Sequence, residues 1–127
     1  VFDTSGNATI DGDVGIKDLI ITTASGSTTS TTVATIDSWA VATYRSAKYE
    51  YQIVDTGADP DEYHVGEMMV VHDGSSALHN EYGVIFTGSG RLGAFTTDVN
   101  GGNCRVRFQA TSGNATSIKI SRKAIKV

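Results

Sequence analysis

Residues 63–87 read Tyr-His-Val-Gly-Glu-Met-Met-Val-Val-His-Asp-Gly-Ser-Ser-Ala-Leu-His-Asn-Glu-Tyr-Gly-Val-Ile-Phe-Thr, and they decide the fold. Two runs rich in Val, Ile, Tyr and Phe, Tyr63–His72 and His79–Thr87, flank the turn-forming Asp73-Gly-Ser-Ser. β-Branched and aromatic runs of this length, bounded by Gly, Asp and Ser, read as the two strands of a hairpin. Setting His72 opposite His79 puts Val65, Met69 and Val71 with Tyr82, Val84 and Phe86 on one apolar face. Glu67 falls on that face too, and the alternation gives no reason for it. His72, His79 and Glu81 share the second face, near the loop.

The same grammar continues on both sides. Strands are expected at Val33–Ile36, Ala40–Thr43, Lys48–Asp55, Ala94–Asp98, Cys104–Ala110, Ser117–Ser121 and Ala124–Val127. In Lys48–Ile53 the residues Tyr49, Tyr51 and Ile53 lie on one side, against Lys48, Glu50 and Gln52. Cys104, Val106, Phe108 and Ala110 form another inward set, and Ile118 and Ile120 continue it. Turn clusters separate these strands at Asp55–Asp61, Gly88–Gly90, Asn100–Asn103 and Ser112–Asn114. Many short strands at this spacing predict an all-β, antiparallel β-sandwich of jelly-roll-like type. The 14 glycines and single proline are unfavourable for helix.

Upstream, Gly6–Ile21 alternates small apolar residues (Ala8, Ile10, Val14, Ile16) with Thr, Asp and Gly. It is too thin to bury itself. Two readings stand: a β-shaft completed by neighbouring copies, or an edge hairpin turning at Asp11-Gly12. Between Thr22 and Thr32, nine of eleven residues are Ser or Thr, the composition of a linker. The domain division is therefore a shaft-like extension with linker over 1–30 and a β-sandwich head over 31–127. The chain opens on Val1 rather than Met, which reads as a piece of something longer.

Composition excludes several classes. Net charge is −4, too mild to call for a nucleic-acid partner. No run of about 18 apolar residues is present, so membrane insertion is not expected. Cys104 has no partner cysteine in its chain, which removes an internal disulfide and a cysteine-based zinc site. The charges are polarised: eight acids and no Lys or Arg from Tyr49 to Gly90, then six bases and no acid from Cys104 to Val127. Either neighbouring strands pair these blocks within one chain, or basic ends meet the acidic faces of another copy.

Candidate chemistry is sparse. Gly88-Ser-Gly-Arg-Leu-Gly93 matches G-x-G-x-x-G, but a strand pattern follows where a dinucleotide site needs a helix. It reads as a hairpin loop. His72, His79 and Glu81 offer two imidazoles and a carboxylate to a divalent ion, against the simpler reading of solvated groups beside a loop. Asp55, Asp59, Asp61 and Glu62 form an acidic loop without calcium-loop spacing, and Pro60 restricts its wrapping. No G-x-S-x-G nucleophile elbow occurs, and nothing selects a pair of carboxylates for glycoside cleavage. Trp39 reads as core, with sugar stacking by Trp39 or Tyr44 as the alternative. No metal or cofactor is assigned, and an enzyme is not expected.

Three segments in order carry a family likeness: Tyr44-Arg-Ser-Ala-Lys-Tyr-Glu-Tyr-Gln-Ile53, Glu67-Met-Met-Val-Val-His-Asp-Gly74 and Glu81-Tyr-Gly-Val-Ile-Phe-Thr-Gly88. They resemble a C-terminal head domain that recurs in virion structural and tail-fibre-like proteins of marine cyanobacterial phages and their relatives. Leu92-Gly-Ala-Phe, Gly101-Gly-Asn and Ile118-Lys-Ile-Ser-Arg fit the same pattern, over about residues 31–127. The resemblance implies a virion appendage or capsid component that is non-enzymatic and commonly trimeric. It transfers no ligand-binding residues.

The resulting expectation is a structural component of a phage virion, a tail-fibre or capsid-fibre head assembled as a homotrimer with other virion proteins. Host-surface attachment, to a glycan or protein, is a second duty assigned to the loops at 55–62, 73–79 and 88–93. Asp59, Asp61, His72, His79 and Arg91 are the candidate contacts. The alternative is a carbohydrate-binding β-sandwich module of a larger protein. A polysaccharide depolymerase is a third class.

Overall fold

A computed structural model describes residues 3–127 of the chain. The strands are β1 (Val14–Ile16), β2 (Leu19–Thr28), β3 (Ala34–Ala40), β4 (Tyr44–Asp55), β5 (Glu62–His72), β6 (Ala77–Phe86), β7 (Gly93–Asn100), β8 (Asn103–Ala110) and β9 (Thr116–Lys126). They form an antiparallel sandwich of a six-stranded sheet, ordered β1-β2-β9-β4-β5-β6, and a three-stranded sheet, ordered β3-β8-β7. The all-β sandwich read from the turn spacing is what the chain builds. Among the described residues, no helix is long and apolar enough to cross a membrane.

β4 sets the register of the large sheet. Its Tyr49, Tyr51 and Ile53 point inward and are almost wholly buried. Their cross-strand partners are Met68, Gly66 and His64 on β5, and Arg122, Ile120 and Ile118 on β9. The core is closed from the other side by Trp39, Phe95, Cys104, Val106 and Phe108. The Phe95 ring lies 4.6 Å from that of Tyr51 and 5.2 Å from that of Phe108. Burying each large apolar side chain contributes roughly 1.5–3 kcal/mol. Gly66 is required beneath Tyr51, because a Cβ there would collide with the phenol ring.

Four expectations are corrected. First, the apolar face of the 63–87 hairpin points outward. Val65, Met69, Val71 and Tyr82 are exposed, while His64, Gly66, Met68, Val70 and His72 are buried. The neighbouring face of β4 fixes this parity, and it explains Glu67, which lies half-buried on the outer face, opposite Glu50 and paired with Lys48. Second, the hairpin is tighter than expected: His72 pairs with Ala77, not His79. The Asp73 carboxylate accepts hydrogen bonds from the Ser75 and Ser76 amides, each at 2.8 Å, and closes the turn in four residues. A register shift between Val65 and Glu67 then realigns the far end.

Third, the Ser/Thr-rich stretch is no linker over its first seven residues. Thr22–Thr28 is the greater part of β2, paired residue by residue with β9 from Arg122 to Thr116. Small residues suit this strand because β3 lies close: a Cβ on Gly26 would sit 3.4 Å from Ile36 Cγ2. The six-stranded sheet therefore begins well before residue 31. Fourth, Val14–Ile21 forms an edge hairpin rather than a separate shaft. Its turn lies at Lys17-Asp18, with Lys17 at φ 50°, and not at Asp11-Gly12. The segments expected at 117–121 and 124–127 are one strand, β9; β3 runs on from the strand expected at 33–36 to Ala40, and Val41–Thr43, expected as strand, is the turn into β4.

Candidate functional site

The inward polar residues of β5 and β6 were the leading candidates for chemistry, and each is committed elsewhere. His72 is 3% exposed; its Nε2 lies 2.6 Å from the Tyr44 carbonyl, and its ring packs 5.1 Å from Trp39. His79 Nδ1 lies 3.0 Å from Thr97 Oγ1 on β7. Glu81 accepts the Tyr51 hydroxyl at 2.7 Å and an Arg91 N–H at 3.2 Å. The three share a face, as the alternation predicted, yet point to different partners. Among the described residues, no three His, Cys, Asp or Glu side chains are placed to hold a metal ion. Burial also removes His72 from any surface contact.

Two buried polar networks went unforeseen. In one, Asp37 on β3 accepts Tyr49 Oη at 2.8 Å and Arg122 Nη1 at 2.7 Å, and Tyr49 Oη accepts Trp39 Nε1 at 2.9 Å. This links the small sheet to both central strands of the large one. Burial and the Asp37 charge hold the Tyr49 phenol far above its ordinary range. In the other, burial and Glu81 raise the Tyr51 phenol. Beside it His64 accepts the Leu92 amide at 3.2 Å through Nδ1, leaving Nε2 without a partner between Tyr51 and Phe86. Burial, with the nearby Arg91 charge, lowers the His64 pKa. An Nδ1 that accepts an amide hydrogen bond carries no proton of its own. Trp39 is likewise core, so it offers no sugar platform.

Strand direction sorts the loops. Those at 55–62 and 87–92 share one end of the sandwich with 111–115, whereas the 73–76 turn sits at the opposite end. Asp55 is not a free ligand. It accepts the Gly57 and Ala58 amides at 2.9 and 3.1 Å and Asn114 Nδ2 at 3.0 Å, tying two loops together. Asp59 and Asp61 are exposed on this end, as is Arg91, which reaches back to Glu81. Among the described residues, no acid of the 49–90 block is ion-paired with a base of the 104–127 block. Arg105 and Arg107 pair with Asp98, Arg122 with Asp37, Lys48 with Glu67 and Arg91 with Glu81. The largest feature missed is the outward face of the six-stranded sheet, whose sequence signals are the second apolar set of β5 (Val65, Met69, Val71) and the otherwise unexplained Glu67.

No family model and no curated protein matches the chain. Solved structures do. The tailspike protein of Acinetobacter baumannii phage AM24 is similar over 87% of this chain and 26% of its own, with a TM-score of 0.53 and 8% identity. The tailspike protein of Acinetobacter phage vB_ApiP_P1 is similar over 90% of this chain and 23% of its own, with a TM-score of 0.45 and 17% identity. The chain thus spans about a quarter of the length of either protein. With the AM24 protein it shares the fold of a β-sandwich unit.

Proposed function

We propose that this chain is a structural, non-enzymatic component of a phage tail appendage, carried in the virion as a homotrimer beside other virion proteins. The observation that carries this reading is the likeness of its sandwich to part of a phage tailspike protein, over 87% of the chain. The phage-head resemblance of Tyr44–Ile53 and the segments after it points the same way. Further support comes from the inward polar side chains, which are held in sheet-to-sheet and loop-to-strand hydrogen bonds rather than gathered around a cleft. The loop end bearing Asp59, Asp61 and Arg91 is the surface proposed to meet a host glycan or protein, and threefold display would add avidity to weak contacts.

Two measurements test this. Native mass spectrometry should find three copies of the 13.4 kDa chain. Antibody against the chain should label the tail region of purified virions in electron micrographs. Virions that carry none of the chain would refute the appendage reading. Host binding is tested separately, by asking whether the purified chain competes with phage adsorption and whether Asp59→Lys with Asp61→Lys abolishes the competition.

A further inference from the structure

We infer that the outward face of the six-stranded sheet is the surface through which this chain packs against a second copy of itself. The inference rests on the reading of the chain as an oligomeric appendage component and names the face that assembles it. The register places Ile16, Leu19, Ile125, Ser46, Val71 and Leu78 side by side across all six strands, an apolar row broken only by a serine. Leu78 is 71% exposed, Ile16 58% and Ile125 53%. Met69, Val65, Tyr82 and Ile85 extend the apolar surface along β5 and β6. Isolated apolar residues on a surface need no explanation, but a contiguous band across a whole sheet does. The largest apolar patches on monomeric proteins cover roughly 300–600 Å², and a specific interface takes about 800 Å² from each partner.

Charge and shape say what covers this face. Lys48 stands directly opposite Lys123, and in the next outward row Glu50 stands directly opposite Glu67. Like charges facing each other across strands are unfavourable. Among the described residues, only the Lys48–Glu67 ion pair, a diagonal at 3.2 Å, relieves them. A polyanion or an anionic membrane would meet the glutamates, and a cationic partner the lysines. A copy of the same face presents both signs, glutamates for these lysines and lysines for these glutamates. The relief fits the same partner. An apolar depression of about 300 Å³ lies at Ser46, Met69, Val71 and Leu78, and a charged one of about 470 Å³ lies over Gly66 and Gly83, rimmed by Glu50, Glu67 and Lys119. Leu78 and Ile85 stand out beside them as apolar knobs. The apolar depression can take such a knob from the facing copy, and the charged one can take a lysine or glutamate.

Sedimentation equilibrium of the full chain, with Leu78→Glu, Val71→Lys and Ala94→Glu alongside, tests the inference. Leu78 and Val71 are outward positions on the large sheet, and Ala94 is an exposed position on the small one. Thermal melts confirm that each variant is folded. The wild-type chain should associate, Ala94→Glu should match it, and Leu78→Glu and Val71→Lys should each raise the dissociation constant about 30-fold or more. Association left unchanged by both variants would overturn the face while leaving the appendage reading in place. A two-copy assembly abolished by Leu78→Glu would support the face and overturn the trimer. A chain that stays at its single-chain mass at every soluble concentration would overturn the face outright.

Discussion

Replacing Asp37 by alanine should be among the most damaging single changes in this protein. The Asp37 carboxylate is the one acceptor shared by Arg122, at 2.7 Å, and Tyr49, at 2.8 Å. Both ends of the ion pair keep only 10% of their side-chain surface in water. Without Asp37, the Arg122 guanidinium retains a single long contact to the Ser38 carbonyl, at 3.4 Å, and its Nε is already without a partner. The Tyr49 hydroxyl would still accept from Trp39 but would have nothing to donate to. Breaking one side of a buried pair costs about 3–5 kcal/mol, and the residual exposure places Asp37→Ala near the lower figure. Removing both charges is a different perturbation. Asp37→Leu with Arg122→Met leaves no uncompensated ion, and such replacements are often close to neutral. Urea unfolding followed by Trp39 fluorescence measures both. With a slope of about 1.5 kcal/mol per molar, Asp37→Ala should lower the midpoint by ~2 M, and the double variant should recover more than half of that loss. Protein concentration must be held fixed, because association adds to apparent stability. A loss under about 1 kcal/mol for Asp37→Ala, or strict additivity in the cycle, would show that the network is not desolvated as described.

Three further outcomes follow from single buried positions. His64 has a pKa below its ordinary value, so the unfolded chain binds its proton first as pH falls; stability should decline as pH drops through about 6.5 toward the folded-state value. His64→Asn, which can still accept the Leu92 amide, should flatten that decline in urea midpoints measured between pH 7.5 and 5, and an unchanged slope would assign the decline to other groups. Gly93→Ala forces a methyl against the Phe108 ring and to 2.6 Å from the Gln109 carbonyl; the loss should be about 1–3 kcal/mol or more, and a neutral melt would mean β7 and β8 can part. Cys104 is fully buried, and desolvation pushes its thiol up to about 11. It should resist a thiol reagent at pH 8 until denaturant is added, with prompt labelling of the native protein counting against a closed core.

What could be read from the sequence was period; what could not was which side of each strand is covered. Tyr49, Tyr51 and Ile53 alternate with Lys48, Glu50 and Gln52, so one face of β4 declares itself without help. The outcome matched because hydrophobic and charged residues disagree completely across that strand. β5 carries apolar residues on both faces: Met68 and Val70 on one, Val65, Met69 and Val71 on the other. Alternation cannot rank two such faces, and the histidines tipped the reading the wrong way by looking polar. His64 and His72 are in fact core residues, each satisfied through one ring nitrogen by a single backbone group. β2 failed for the opposite reason. Its Thr, Ser, Ala and Gly residues carry almost no pattern, and the strand exists because β9 offers ten consecutive partners.

These two misreadings concern the same sheet, and together they bear on assembly. A strand apolar on both faces belongs in the middle of something with two covered sides. Within one chain β5 has only one side covered, the one whose Met68 and Val70 belong to the core. The other side holds Met69 and Val71 at 46% and 47% exposure, beside a serine-floored depression and opposed like charges. The sequence of β5 is therefore that of a buried strand, and the fold of one chain leaves it half-buried. A second copy laid on that face would supply the cover that the residue pattern already assumes.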